Sequence, residues 1–171
     1  WRWWQLGRST AGSGEHTTPQ AVTLWWLARA GLWSAPGLIW TDGAPDLRDS
    51  NVTDLIAATT RLQALQQELA GTTQRRAGRP TPPTARWLPE QGAPAPADIV
   101  ARHLHYWHAL QAAAEQAWQD GASETDAAPQ LVGVDPDWLA SPRHALNWQR
   151  AWRQVEPEVL AAPPAPAASR P

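Results

Sequence analysis

The chain has no cysteine, no methionine, no phenylalanine and no lysine among its 171 residues. Without cysteine it can form no disulfide, no thiolate zinc site and no cysteine nucleophile, and its composition carries no mark of the redox compartment. Positive charge rests on arginine alone, and 14 arginines against 16 acidic residues leave a formal charge of −2. The strong positive field that nucleic-acid binders use is therefore missing, and no nucleic-acid partner is expected. The one basic run, TTQRRAGRP at 72–80, reads as a solvated loop.

Long apolar runs are also lacking. The longest, AVTLWWLARAGLW, is interrupted by Arg29 and falls short of the roughly 20 residues that span a bilayer. WRWWQLGR at 1–8 has the look of a cationic interfacial peptide, but a turn cut from an upstream element explains it as well. No membrane contact is expected. A chain that begins with Trp and contains no Met reads as a fragment, and a missing N-terminal segment is one candidate partner for WRWW. Asn51-Val52-Thr53 is formally a glycosylation sequon, but no secretory signal is apparent, so the expected compartment is the cytoplasm.

What is abundant is alanine, arginine, proline and tryptophan, the bias of GC-rich, bacterial-like coding. Thirteen tryptophans raise the idea of an aromatic binding surface. With phenylalanine absent and Tyr106 the single tyrosine, however, tryptophan has to supply the aromatic bulk of a core.

Helical patterns recur along the chain. Thr18 and Pro19 suit a helix start before AVTLWWLARAGLW, where Val22, Trp25, Trp26, Ala28 and Leu32 fall at helical spacing and Gly31 stops the run. SAPGLIWTDGAPDLRDS reads as a loop that tucks Ile39 and Trp40 against the helices. A second helix follows from a Ser50 or Asn51 cap to Gly71, with Leu55, Ala58, Leu62, Leu65 and Leu69 as its apolar stripe. Residues 72–96 hold six prolines and read as a connector unable to sustain helix or central strand, pinned by Trp87 and Leu88. The longest helix runs to Gly121 with Val100, Leu104, Trp107, Leu110 or Gln111, Ala114 and Trp118 along one stripe. In DPDWLASPRHALNWQRAW, Asp135 and Ser141 are caps, each followed by proline, which predicts a short helical turn, a kink and a last helix. On that helix Ala145, Trp148, Gln149 and Trp152 are expected to share a face. No strand pattern stands out. The expectation is a single all-α domain over 1–160 of about four to five helices, with the 72–96 connector inside it and an extended tail at 161–171.

VDPDWLASPRHALNWQ resembles, without a gap from Val134 to Trp148, the C-terminal signature of the DUF4272 family, in which a Leu/Val-Asp-Pro turn leads to Arg/His-x-Ala-Leu-Asn-Trp. AVTLWWLARAGLW and LHYWHAL look like two further helices of that family, in the same order. The chain departs from the pattern at Ser141-Pro142, where the family has a Glu-Arg pair, and at Arg153, where an acidic residue is usual. The family is one of unknown function, so the resemblance implies a helical fold and no particular chemistry.

Candidate site residues are few. His103, His105 and His108 on one helix, with His144, form the one plausible ligand set. His105 and His108 lie three apart on one helical face, as a metal pair does, and Glu115 or His144 would have to complete the site. Asp42, Asp46, Asp49 and Asp54 lack the spacing of a calcium loop and read as caps and turn formers. No phosphate loop, Gly-x-Ser-x-Gly or HExxH occurs. Asn147 stands between Leu146 and Trp148 in a helix, where asparagine is a poor helix former, so a hydrogen bond to the loop at 36–46 is its expected role. Arg143, Asn147 and Trp148 are the residues to examine for a structural role or ligand contact. The leading expectation is a domain that acts by protein or intramolecular contact, without catalysis or cofactor. The alternative is a metal-dependent or hydrolase-like enzyme using His105 and His108.

Overall fold

The segment expected to form the first helix is a β-hairpin. The computed structural model describes residues 2–6, 22–28, 30–48, 50–75 and 85–161. They form β1 (Arg2–Leu6), β2 (Val22–Leu27), β3 (Leu32–Ser34), α1 (Val52–Arg75), β4 (Arg86–Leu88), β5 (Ala95–Pro96), α2 (Ile99–Gln119), α3 (Pro136–Leu139) and α4 (Pro142–Ala161). The five strands make one mixed sheet in the order β1-β2-β3-β4-β5. The all-α expectation is thus corrected to an α/β fold, and the helical reading of AVTLWWLARAGLW with it. Thr18 and Pro19 lie outside the described residues, as does the tail beyond Ala161.

The physical reason lies in the residues of the hairpin. Val22, Thr23, Trp25 and Trp26 are β-branched or aromatic, the side chains that fit a pleated surface best. Leu24 is buried while its neighbour Trp25 is exposed, the alternation of a strand covered on one face. Gly31 adopts φ 63° and the Ala30 N–H bonds the Leu27 carbonyl at 3.0 Å, which turns the chain back on itself. Trp26 pairs with Trp33 across β2 and β3, and their rings stack at 4.2 Å. Trp33 stacks in turn on Trp87 at 5.5 Å. Trp33 and Trp87 fill the core from strands and Trp107, Trp138 and Trp148 from helices, whereas Trp3 and Trp25, paired across β1 and β2, are exposed.

β3 and β4 run parallel, with Trp33 opposite Trp87. Parallel neighbours cannot be joined by a tight turn and need a crossover of a dozen residues or more. The loop from Ala35 to Asn51, α1 and the chain up to Ala85 supply it. Residues 72–96 are therefore not one structureless connector. α1 continues through Gly71 to Arg75, β4 lies inside the sheet, and Pro96 sits on β5 at its edge, where a missing N–H does no harm. Of the basic run at 72–80, residues 72–75 are the end of α1 and not a loop, and 76–80 lie, with 81–84, outside the described residues. Gly92 seals the joint between this stretch and the crossover loop. It has φ 99°, and a Cβ there would come within 2.2 Å of Thr41 Oγ1 and 2.7 Å of the Asp42 main-chain nitrogen. Only glycine fits.

α2 is the central helix, packed against α1 on one side and α4 on the other. Its buried residues include Val100, His103, Tyr106, Trp107, Leu110 and Ala114. The C-terminal stretch kinks as its prolines require. Asp135 Oδ1 accepts the Asp137 N–H at 3.0 Å, α3 ends at Leu139, and Ser141 Oγ accepts the Arg143 N–H at 3.3 Å. The buried face of α4 is rotated from the one expected. His144, Asn147, Trp148, Ala151 and Val155 point inward, Ala145 and Gln149 are exposed, and Trp152 is half-buried against Trp118. Among the described residues no helix is long and apolar enough to cross a membrane.

Candidate functional site

Residues 38–47 of the loop after β3 are clamped between α2 and α4 by buried polar side chains. Asn147 is fully buried. Its Oδ1 accepts the Leu47 N–H at 3.0 Å, and its Nδ2 donates to the Pro45 carbonyl at 2.6 Å and to the Tyr106 hydroxyl oxygen at 2.9 Å. Pro45 lies inside the 36–46 interval expected from the sequence, and Leu47 one residue beyond it. Tyr106 Oη lies 3.1 Å from His144 Nδ1, and His144 Nε2 lies 3.0 Å from the Pro129 carbonyl. A carbonyl only accepts, so His144 Nε2 carries the proton and its Nδ1 accepts from Tyr106. The chain from Asn147 through Tyr106 and His144 to Pro129 is then complete with a neutral imidazole.

The two titratable members of this chain are Tyr106 and His144. Burial pushes the Tyr106 hydroxyl up and the His144 imidazole down, so both are held neutral. For Tyr106 the shift disfavours the phenolate that a tyrosine nucleophile uses. Both groups lie inside the protein rather than in a cleft.

His103 is buried with Nδ1 3.1 Å from the Leu38 carbonyl and Nε2 2.9 Å from the Trp40 carbonyl. Burial lowers its pKa to about 4, against the pull of the two carbonyls, and the nearby Arg102 acts in the same direction as burial. The folded value thus lies below the ordinary one of about 6.5. The native state binds fewer protons than the unfolded chain, and stability present above pH ~6.5 is lost as pH falls toward the folded value. A decline of about 3 kcal/mol between pH ~6.5 and ~4 is expected from His103, with His144 adding in the same direction. Urea unfolding across that window checks it. A rise in stability on acidification would mean that the ring holds two protons and donates to both carbonyls.

The remaining histidines do not converge. His105 is exposed, and its Nε2 bonds the Val132 carbonyl at 2.9 Å. His108 is exposed one turn along the same helix, and Glu115 is exposed further on. With His103 and His144 committed to carbonyls inside, the four histidines share no common centre. Among the described residues no group of three or more His, Cys, Asp or Glu is placed to hold a metal ion.

Outside the clamp, the same loop and α4 enclose an open cleft of about 560 Å³, lined by Asp42, Asp46, Arg48, Arg143, Leu146 and Arg150 among others. Arg143 donates to both oxygens of Asp42, at 3.0 and 3.3 Å, and to the Ala44 carbonyl at 2.8 Å. Its guanidinium holds the Asp42 carboxyl below the usual range. Arg48, a non-glycine residue at φ 45°, donates through Nε to Asp46 at 3.1 Å and through Nη2 to Glu90 at 3.1 Å. The guanidinium groups of Arg48 and Arg143 stand 4.3 and 4.9 Å from the Trp40 ring, within cation–π range. Left-handed backbone at a non-glycine residue costs free energy and persists where the surroundings over-determine it. Here two acids and an indole do so.

Of the residues singled out in the sequence, Arg143 lines the cleft, Asn147 holds the loop beneath it and Trp148 is core. His105 and His108 belong to neither. Sequence reasoning missed Arg48, Arg150 and Tyr106, and also Gln154, whose side chain accepts the Val52 N–H at 3.0 Å and donates to the Ser50 carbonyl at 2.9 Å. The pairs of Arg150 and Gln154 span about a hundred positions and those of Tyr106 and of Arg48 with Glu90 about forty, and no spacing rule reaches that far. The nearest signal was the repeat of Arg143, Leu146 and Arg150 at helical intervals, an apolar residue between two charges. No family model, no curated protein and no solved structure matches the chain.

Proposed function

We propose that the protein is a non-catalytic binding domain that recognises a protein segment in the cleft between the Thr41–Arg48 loop and α4. The observation that carries this reading is Leu146. It is 51% exposed in the lining of an open cleft shared with Arg48 and Arg143, both held by acidic side chains, and with Arg150. An apolar side chain set inside a polar rim is the usual anatomy of a recognition site. The titratable side chains beneath the loop, His103, Tyr106 and His144, are by contrast buried. Kinship with the DUF4272 family forms part of the same proposal and rests on residues 134–148. Two of the three segments that carry it, LHYWHAL and the C-terminal one, are helical here, whereas the first is the hairpin.

Methyl NMR on labelled leucine tests the proposal. A pool of short random peptides should shift the Leu146 methyl signals saturably, and Leu146→Asp should abolish the response while leaving the unfolding midpoint unchanged. Zinc-dependent hydrolysis of a p-nitrophenyl ester that disappears in His105→Ala or His108→Ala would favour the enzyme alternative instead.

A further inference from the structure

We infer that the cleft takes an acidic segment, one with a carboxylate two residues from an aliphatic side chain, and that Arg150 is the group that selects it. The inference rests on the binding reading above and adds the chemistry of the partner. Three arginines line the cleft, but they are not equivalent. Arg143 is occupied by Asp42 and the Ala44 carbonyl, and Arg48 by Asp46 and Glu90. Arg150 forms a long ion pair with Asp46 at 3.6 Å, beyond hydrogen-bond distance, and makes no hydrogen bond among the described residues. Its side chain is 39% exposed. The carboxylates of the cleft are already engaged, Asp42 by Arg143 and Asp46 by Arg48. The unspent hydrogen-bonding capacity is therefore cationic, a planar fork of N–H donors whose complement is a carboxylate.

Geometry sets the rest of the ligand. Leu146 and Arg150 are one helical turn apart, so their Cβ atoms lie about 5–6 Å from each other. In an extended peptide, side chains two residues apart project from the same face about 6.6 Å apart. A carboxylate can thus reach Arg150 while an aliphatic side chain two positions away lies on Leu146. A nucleic acid is a poor match, since the domain is net negative and a single open guanidinium offers little to a phosphate backbone.

The experiment uses fluorescein-labelled peptides of repeating glutamate-serine-leucine-serine, with glutamine and lysine replacing glutamate in two counterparts, read by fluorescence anisotropy. The acidic peptide should bind more tightly than either counterpart. Arg150→Gln should weaken it at least about tenfold and remove most of its salt dependence. Arg150→Lys should restore part of the affinity, and Arg61→Gln, on exposed α1, should change nothing. Unfolding midpoints of each variant separate loss of binding from loss of fold. Equal or tighter binding of the glutamine or lysine peptide, or an Arg150→Gln variant that keeps full affinity, overturns the acidic assignment and leaves the binding reading standing. Full competition by glutarate at the same concentration as the peptide assigns the site to a small diacid and overturns the peptide. Binding by none of the three peptides overturns both readings.

Discussion

Asn147→Leu is expected to destabilise the protein by about 3–5 kcal/mol although it adds apolar surface to the core. The side chain serves two main-chain groups and one hydroxyl, the Leu47 N–H, the Pro45 carbonyl and Tyr106 Oη. None of the three can turn to solvent from its place beneath the loop. Leaving a buried polar group without a partner costs about 1–3 kcal/mol each, and one leucine side chain in contact with unpaired amides offsets only part of that. Tyr106 keeps His144 as an acceptor, so the loss concentrates on the loop. Urea unfolding at neutral pH measures the total. The loop also positions Arg48 and Asp46, so hydrogen exchange of Leu47 and its neighbours should quicken in the variant even below the unfolding transition. A leucine variant as stable as the parent would show that the clamp contributes nothing.

Trp107→Ala is expected to cost about 3–5 kcal/mol, by a different route. Trp107 is 1% exposed, on the helix that packs against both α1 and α4, and lies edge-on to Tyr106 at 5.0 Å. Its indole N–H meets no acceptor among the described residues, so the loss is one of packing alone. A cavity in the central helix cannot be closed by moving one neighbour, because helices flank it on both sides. Chemical denaturation checks this, and a loss under about 1 kcal/mol would place the ring at the surface.

The helices were legible from sequence because their instructions are local. In α1 the spacing of Leu55, Ala58, Leu62 and Leu65 states both helix and buried face, and Asn51 Oδ1 caps it through the Thr53 N–H at 2.7 Å. The kink between α3 and α4 follows from Asp135-Pro136 and Ser141-Pro142 through proline's missing donor and fixed φ. In each case residues a few positions apart carry the whole reason.

The sheet was not legible, because AVTLWWLARAGLW satisfies a helical spacing and a strand alike, and a short apolar run does not settle its own period. What decides it is Trp33 lying between Trp26 and Trp87, a stack drawn from three strands, the last of them across the whole crossover. The same holds for the connector, where Trp87 becomes a central strand only because Trp33 is there to pair with it. The candidate site divides along the same line. By itself the sequence determined the buried stripe of α1, the caps, the absence of cysteine chemistry and the singular position of Asn147, but not the buried face of α4. Which groups Asn147 would hold, and that Arg150 would stand with donors to spare beside an exposed Leu146, the tertiary structure alone decided. Hydrogen bonds and ion pairs between residues about a hundred positions apart depend on where the fold brings them, and local spacing carries no record of that.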